Sequence, residues 1–301
     1  MINLGIFTGY YPYSLSETIA RIKKDGFTCV QLDPLFKDVD LTPGTITKDK
    51  AATVRRAFRD ADLPIASISG YTNIIHPDLD ERARRLDALK ELLRFARDFG
   101  SPYVISETGT FNTESDWVSD PRNKTEEGYE TAIGVIEELA QVAYDHGSYF
   151  VVENYTQNVI GSVQEVQRML DDVRHPGLRF MCDPTNYYDG SNIDKVDETL
   201  DEMFDAFGTQ FVIAHAKDIE RAEDQGEKHA GIEGTTDANN FRGAGAVGLP
   251  AAGLGILNYE LYLTRLIAVQ PNIPLMIEHL DESDIPRAKQ FLTDVLNKVG
   301  G

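Results

Sequence analysis

Tyr149-Phe150-Val151-Val152-Glu153-Asn154, near the middle of the chain, is a short apolar run that ends abruptly in a carboxylate. A continuous apolar run of this length suits a parallel strand buried on both faces, and the Glu closing it then sits where a barrel strand delivers chemistry. The same pattern recurs downstream. Leu178-Arg179-Phe180-Met181-Cys182 closes in Asp183, Phe211-Val212-Ile213-Ala214 in His215, and Ile273-Pro274-Leu275-Met276-Ile277 in Glu278. Four successive strand-like runs ending in Glu, Asp, His and Glu make a metal-ligand set.

Upstream, strand-like runs cover residues 2–7, 27–32, 64–69 and 103–106, the last followed by Glu107. Helical periodicity and capping signals predict helices over residues 14–24, 47–62, 80–99, 126–146, 162–172, 193–207, 259–269 and 285–298. The polar stretch 111–124, which holds the one tryptophan, Trp117, is too long for a simple turn and reads as an active-site wall or lid. After His215 the chain leaves regular structure over residues 219–255, whose Gly-rich tail looks like a tight turn into the next helix. Eight strands alternating with eight helices, with no break between them, predict a single (β/α)8 TIM barrel in the α/β class, one domain over residues 1–301. A doubly wound open sheet is the competitor. Against it, no Gly-rich dinucleotide fingerprint follows the first strand, and a closed barrel aims four consecutive strand ends at one axial point.

Composition narrows the partners. The net charge of -20 repels polyanions, so neither nucleic acid nor an anionic membrane surface is an expected partner. A solvated, solubilising acidic surface or a halophilic host explains the same surplus. No apolar run approaches ~20 residues and no basic n-region precedes the first strand, so secretion and membrane spanning are not indicated. Cys29 and Cys182 both fall inside apolar runs and read as buried thiols of a reducing, cytoplasmic compartment. A homo-oligomer is left open.

Glu153, Asp183, His215 and Glu278 offer three carboxylates and one imidazole. That mixture suits Mn2+, Mg2+ or Co2+ in near-octahedral coordination, with Zn2+ as a further option. Four protein ligands leave about two positions of an octahedron for adjacent carbonyl and hydroxyl oxygens of one sugar. The ion would acidify the neighbouring C–H, a carboxylate would remove that proton, and the resulting enediolate would be stabilised by the ion. Glu153 and Glu278 on opposite sides would give epimerisation; a single base returning the proton to the neighbouring carbon would give aldose–ketose isomerisation.

Other residues are weaker candidates. Lys217 follows His215 by two positions, shares its face by strand alternation, and could neutralise an enediolate or a phosphate. Glu107 could bind a substrate hydroxyl or orient a ligand; His76 and Asn73, after the third strand, could line the pocket. Each has an ordinary structural alternative as a capping, loop or core residue. His279 is either a supporting residue or points away. Tyr10, Tyr11, Trp117, Tyr155, Tyr187 and Tyr188 lie near strand tops, where aromatics stack on a sugar or simply form wall. His146 and His175 sit at the opposite end of the barrel.

Glu153-Asn154, Asp183-Pro184, His215-Ala216-Lys217-Asp218 and Glu278-His279, at these intervals, resemble the sugar isomerase and epimerase group of xylose-isomerase-like TIM barrels, which includes ketose 3-epimerases, hydroxypyruvate isomerase and inosose dehydratase. The resemblance covers nearly the whole chain. It implies that the four residues hold a metal and that Glu153 and Glu278 form the acid/base pair of a sugar isomerase or epimerase. It also implies that Arg221, six residues after His215, contacts substrate. The chain departs from the ketose 3-epimerases where they carry a His three residues after the metal Asp: Asn186 stands there and can donate a hydrogen bond but not shuttle a proton. A lyase of the inosose dehydratase type uses the same metal and base. Endonuclease IV shares the barrel but needs a multi-metal cluster and a basic surface, which six histidines and an acidic charge do not supply. A non-catalytic binding protein would require one of the four ligands to be misplaced.

Overall fold

The computed structural model describes residues 2–222 and 243–300. The predicted barrel is present: eight parallel strands close on themselves. In chain order they are β1 (Asn3–Phe7), β2 (Cys29–Leu32), β3 (Ile65–Ser69), β4 (Tyr103–Glu107), β5 (Tyr149–Glu153), β6 (Leu178–Cys182), β7 (Phe211–Ala216) and β8 (Pro274–Ile277). Helices α1 (Leu15–Lys24), α2 (Lys48–Asp60), α3 (Leu79–Phe99), α4 (Glu126–Asp145), α5 (Val163–Asp172), α6 (Val196–Phe207), α7 (Tyr259–Val269) and α8 (Ile285–Val299) follow the strands in turn. Closure comes from β1 pairing with β8, Ile6 opposite Ile277.

The helix ends follow their capping chemistry. Ser14 accepts from the Glu17 amide, Asp78 from the amides of Asp80 and Glu81, and Ser162 and Glu165 form a reciprocal capping box. The start of the sixth predicted helix differs: α6 begins at Val196, not at residue 193. Asp189 and Asn192 satisfy each other's neighbourhood in a turn, with Ser191 N–H on Asp189 Oδ1 at 2.7 Å and Asp189 N–H on Asn192 Oδ1 at 2.8 Å, and these local bonds outcompete a helical turn. Within the stretch read as irregular, Glu220–Arg221 pairs antiparallel with Val247–Gly248; residues 223–242 lie outside the described residues.

Strand alternation sets the height of every inward residue. Cys29, Ile105, Val151, Met181, Ile213 and Met276 form one buried cluster in the barrel interior. At β1 the layer is completed by Gly5: a Cβ there would come within 2.5 Å of Met276 Sδ and 2.8 Å of Cys29 Sγ. Two residues further along each strand the side chains again point inward, one layer higher. Those residues are Gln31, Glu107, Glu153, Asp183, His215 and Glu278. The apolar layer is therefore the floor of a polar chamber at the C-terminal end of the barrel. Cys29 and Cys182 are buried and unpaired, as expected. Among the described residues no helix is long and apolar enough to cross a membrane.

Candidate metal centre

Glu153, Asp183, His215 and Glu278 each offer a donor atom, and these atoms all lie within 4.8 Å of one another, buried. A central ion about 2.1 Å from each would need separations up to about 4.2 Å, so small side-chain shifts close the cage. His215 Nδ1 is 3.1 Å from Glu278 Oε1, 3.2 Å from Asp183 Oδ2 and 3.6 Å from Glu153 Oε1. A cation already sits among these oxygens: the Lys217 ammonium contacts Asp183 Oδ2 and Glu278 Oε1 and lies 3.7 Å from Glu153 Oε1. Three carboxylates, an imidazole and a stand-in cation fit a divalent ion that takes oxygen and nitrogen donors.

The surrounding residues fix the donors in place. His215 Nε2 donates to Gln31 Oε1 at 2.9 Å, which leaves Nδ1 free to coordinate. Gln31 in turn accepts from Ser67 Oγ and donates to Tyr71, whose hydroxyl donates to Glu153 Oε2. Asn186 Nδ2 donates to Glu153 Oε1 at 2.7 Å, so both oxygens of that carboxylate are oriented. Tyr262 and Tyr259 hold the backbone carbonyls of His215 and Lys217, each at 2.8 Å.

The charges within this dry chamber shift one another. Burial raises Glu153, against the opposing pull of His215 and Lys217. Burial opposes ionisation of Glu278 too, but His215 and Lys217 outweigh it and bring the carboxyl down to about 2. For Asp183 burial is likewise overcome, chiefly by Lys217, and the group lies well below the carboxylate range. Burial would lower His215 and Lys217, yet the carboxylates around them hold both well above their ordinary values. Glu107, with burial and the Glu153 charge acting on it, is pushed well above the carboxylate range; Trp117 Nε1 donates to its Oε1 at 2.9 Å.

Residues 19–295 match the family model described as the xylose isomerase-like TIM barrel. The chain belongs to that family. No curated protein sequence matches it. Solved structures of xylose isomerase-like barrels superpose along the whole chain. D-psicose 3-epimerase from Clostridium cellulolyticum H10, solved with D-tagatose, has a TM-score of 0.68 at 15% identity, covering 99% of each chain. A xylose isomerase-like TIM barrel protein from Mycobacterium smegmatis in complex with magnesium has a TM-score of 0.66 at 14% identity, covering 99% of this chain and 96% of its own. A probable 3-DHS dehydratase from Bacillus anthracis has a TM-score of 0.70 at 14% identity, covering 97% and 99%. At such identities the likeness speaks for the fold alone.

Within this family frame, the cavity above the donors is lined by Glu107, Glu153, Asn186, Lys217 and Glu278, with Tyr10, Trp117, Tyr155 and His279 as walls. Its free space is about 30 Å³, whereas a neighbouring cavity of about 820 Å³ shares Phe7 and Tyr71 with it. The larger space lies between the loop after β2 and helix α3 and meets the smaller cavity at Phe7 and Tyr71. Trp117 makes stretch 111–124 a wall, pinned by Asn123 to Gln157 and Thr110. His279 has a φ of 59° and is held by Leu249 O and Tyr10.

Two expected contacts are placed elsewhere. His76 does not line the cavity: its Nδ1 accepts the Asp78 amide at the start of α3, because the chain turns outward after Ile75. The guanidinium of Arg221, on the short antiparallel ladder with Val247–Gly248, pairs with Asp194 of the loop before α6 and is not among the residues lining the cavity. Asn73 ties the loops after β3 and β4 together through Thr110. Tyr11, Tyr187 and Tyr188 are buried in the wall, with Tyr11 donating to Asp25 and Tyr188 to Val196 O. The sequence reading overlooked Gln31 and Tyr71. Gln31 carried a signal, being an amide inside an otherwise apolar strand; Tyr71 carried none.

Proposed function

We propose that this chain is a divalent-metal-dependent isomerase or epimerase of a small sugar or sugar derivative. The observation that carries the reading is the convergence of Glu153, Asp183, His215 and Glu278 at the catalytic end of the barrel. A divalent ion held there, with Mn2+, Mg2+ or Co2+ preferred to Zn2+, would polarise a substrate carbonyl and stabilise the enediolate formed beside it. Glu278, ionised, takes the proton from carbon, and Glu153, the carboxyl with the raised affinity for a proton, returns one from the other side. Asn186 keeps Glu153 aimed, and Lys217 presents positive charge to the oxygen that becomes negative. Tyr10, Trp117 and Tyr155 keep bulk water from the reacting carbons.

One observation favours a second reading, a lyase of the dehydratase type. Glu107 faces the same cavity, and burial and the Glu153 charge push its carboxyl well above the ordinary carboxylate range, so it is suited to pass a proton to a departing hydroxyl. A screen of ketoses, aldoses and inososes with Mn2+ in D2O separates the two. An isomerase or epimerase gives a product of the substrate's formula carrying solvent deuterium, and Glu107→Gln retains most of that activity. A lyase gives a product short of one water and loses turnover in Glu107→Gln. Absence of both turnover and deuterium uptake across the screen contradicts both.

A further inference from the structure

Lys217 stands between the cavity and two of the four donors. Asp183 and His215 are not among the residues lining the cavity; Lys217 is, and its side chain is 3% exposed. Its ammonium approaches Asp183 Oδ2, Glu278 Oε1 and Glu153 Oε1, the same oxygens that surround His215 Nδ1. A lysine that merely supported the ligands would bond their outward faces or a backbone carbonyl. This one bonds the oxygens that face the centre of the cage, so it and a metal ion require the same lone pairs.

Resting on the metal reading above, we propose that Lys217 is a resident counter-cation that competes with the divalent ion for Asp183 and Glu278, and that metal entry drives its ammonium into the cavity to face the substrate oxyanion. Charge balance supports retention of the ammonium rather than its loss. Before Glu153 takes up the proton it later returns, three carboxylates, one ammonium, a neutral imidazole and a divalent ion sum to zero, and an uncompensated charge in so buried a site is costly. The movement needs only the side chain. Tyr259 pins the Lys217 carbonyl and an isolated bridge to Ala251 pins its strand, while the four-carbon stem of lysine is flexible. Among the described residues Lys217 is also the sole lysine or arginine lining the cavity, so its ammonium can meet an oxyanion there.

The test compares wild type with Lys217→Met, which keeps length and removes charge, using calorimetric titration with Mn2+ and the melting temperature in EDTA. The expected result is at least tenfold tighter Mn2+ binding in K217M together with a lower melting temperature in EDTA. Equal or weaker Mn2+ binding in K217M overturns the proposal. A second measurement uses wild type alone: acetylation of Lys217 followed by mass spectrometry, with and without Mn2+. Several-fold faster labelling in Mn2+, relative to the other lysines, is expected; an unchanged or slower rate overturns the proposal even if K217M fails to fold. If wild type binds no Mn2+, it is the metal reading that fails, and with it the competition.

Discussion

Gln31 determines which nitrogen of His215 faces the carboxylates. Its Oε1 accepts from both His215 Nε2 and Ser67 Oγ, so the imidazole keeps its hydrogen on Nε2 and presents the Nδ1 lone pair to the cage. Gln31→Leu strands that N–H, and metal affinity is expected to fall about 10- to 100-fold. The same change should lower stability by about 1–3 kcal/mol in denaturant titration. Unchanged Mn2+ affinity in a folded Gln31→Leu protein would remove Gln31 from the site. The imidazole also sets the pH response. The carboxylates raise its affinity for a proton well above the ordinary histidine value, and a proton on Nδ1 excludes a metal. Affinity for Mn2+ is therefore expected to rise with pH, with the increase continuing above about 6.5, the ordinary value. Titrations at about pH 6, 7 and 8 check this, and a flat profile contradicts it. The four donors were legible in sequence because each closes an apolar run. Gln31 was not recognised, since its role depends on barrel closure bringing β2 within reach of β7. Arg221 is a different case: the family resemblance implied a substrate contact, and its guanidinium pairs with a carboxylate on another loop, Asp194, a partner that its interval from His215 does not reveal.

At the scale of elements, one polar residue after β7 ties Ile219 to the turn that leads into α7. Asp218 Oδ1 accepts the amides of Ile219 and Leu257, and its Oδ2 accepts that of Gly253. Gly255 packs so closely against it that a Cβ would meet Ile219 O at 2.2 Å and Asp218 Oδ1 at 2.5 Å. Asp218→Ala leaves two buried amides and one part-buried amide without their acceptor and is expected to cost about 2–4 kcal/mol. A loss below about 0.5 kcal/mol, the range of ordinary surface changes, would contradict this anchoring role. Helix positions were readable because Ser14, Asp78 and Ser162 state their caps locally. The start of α6 was not, because Asp189 and Asn192 form turn bonds that the hydrophobic period does not reveal. The strand order was readable from alternation with helices. The height of each inward side chain was not, because it needs the register that the barrel imposes.

At the scale of the molecule, the acidic surplus acts on the fold as a whole. A net charge of -20 opposes compaction by self-repulsion, and salt screens it. Raising ionic strength from roughly 10 mM to roughly 1 M with NaCl is expected to raise the melting temperature, because the screening length shortens about tenfold. A melting temperature that falls or stays constant would show that the surplus is already compensated locally. The barrel brings residues more than a hundred positions apart to one point, Glu153 beside Glu278, and that convergence is the centre of the account. Anomalous diffraction at the manganese edge from crystals grown with Mn2+ tests it most directly. The expected result is one peak per chain, about 2–2.5 Å from donor atoms of Glu153, Asp183, His215 and Glu278. No peak inside that cage, or peaks only at surface carboxylates, would contradict it.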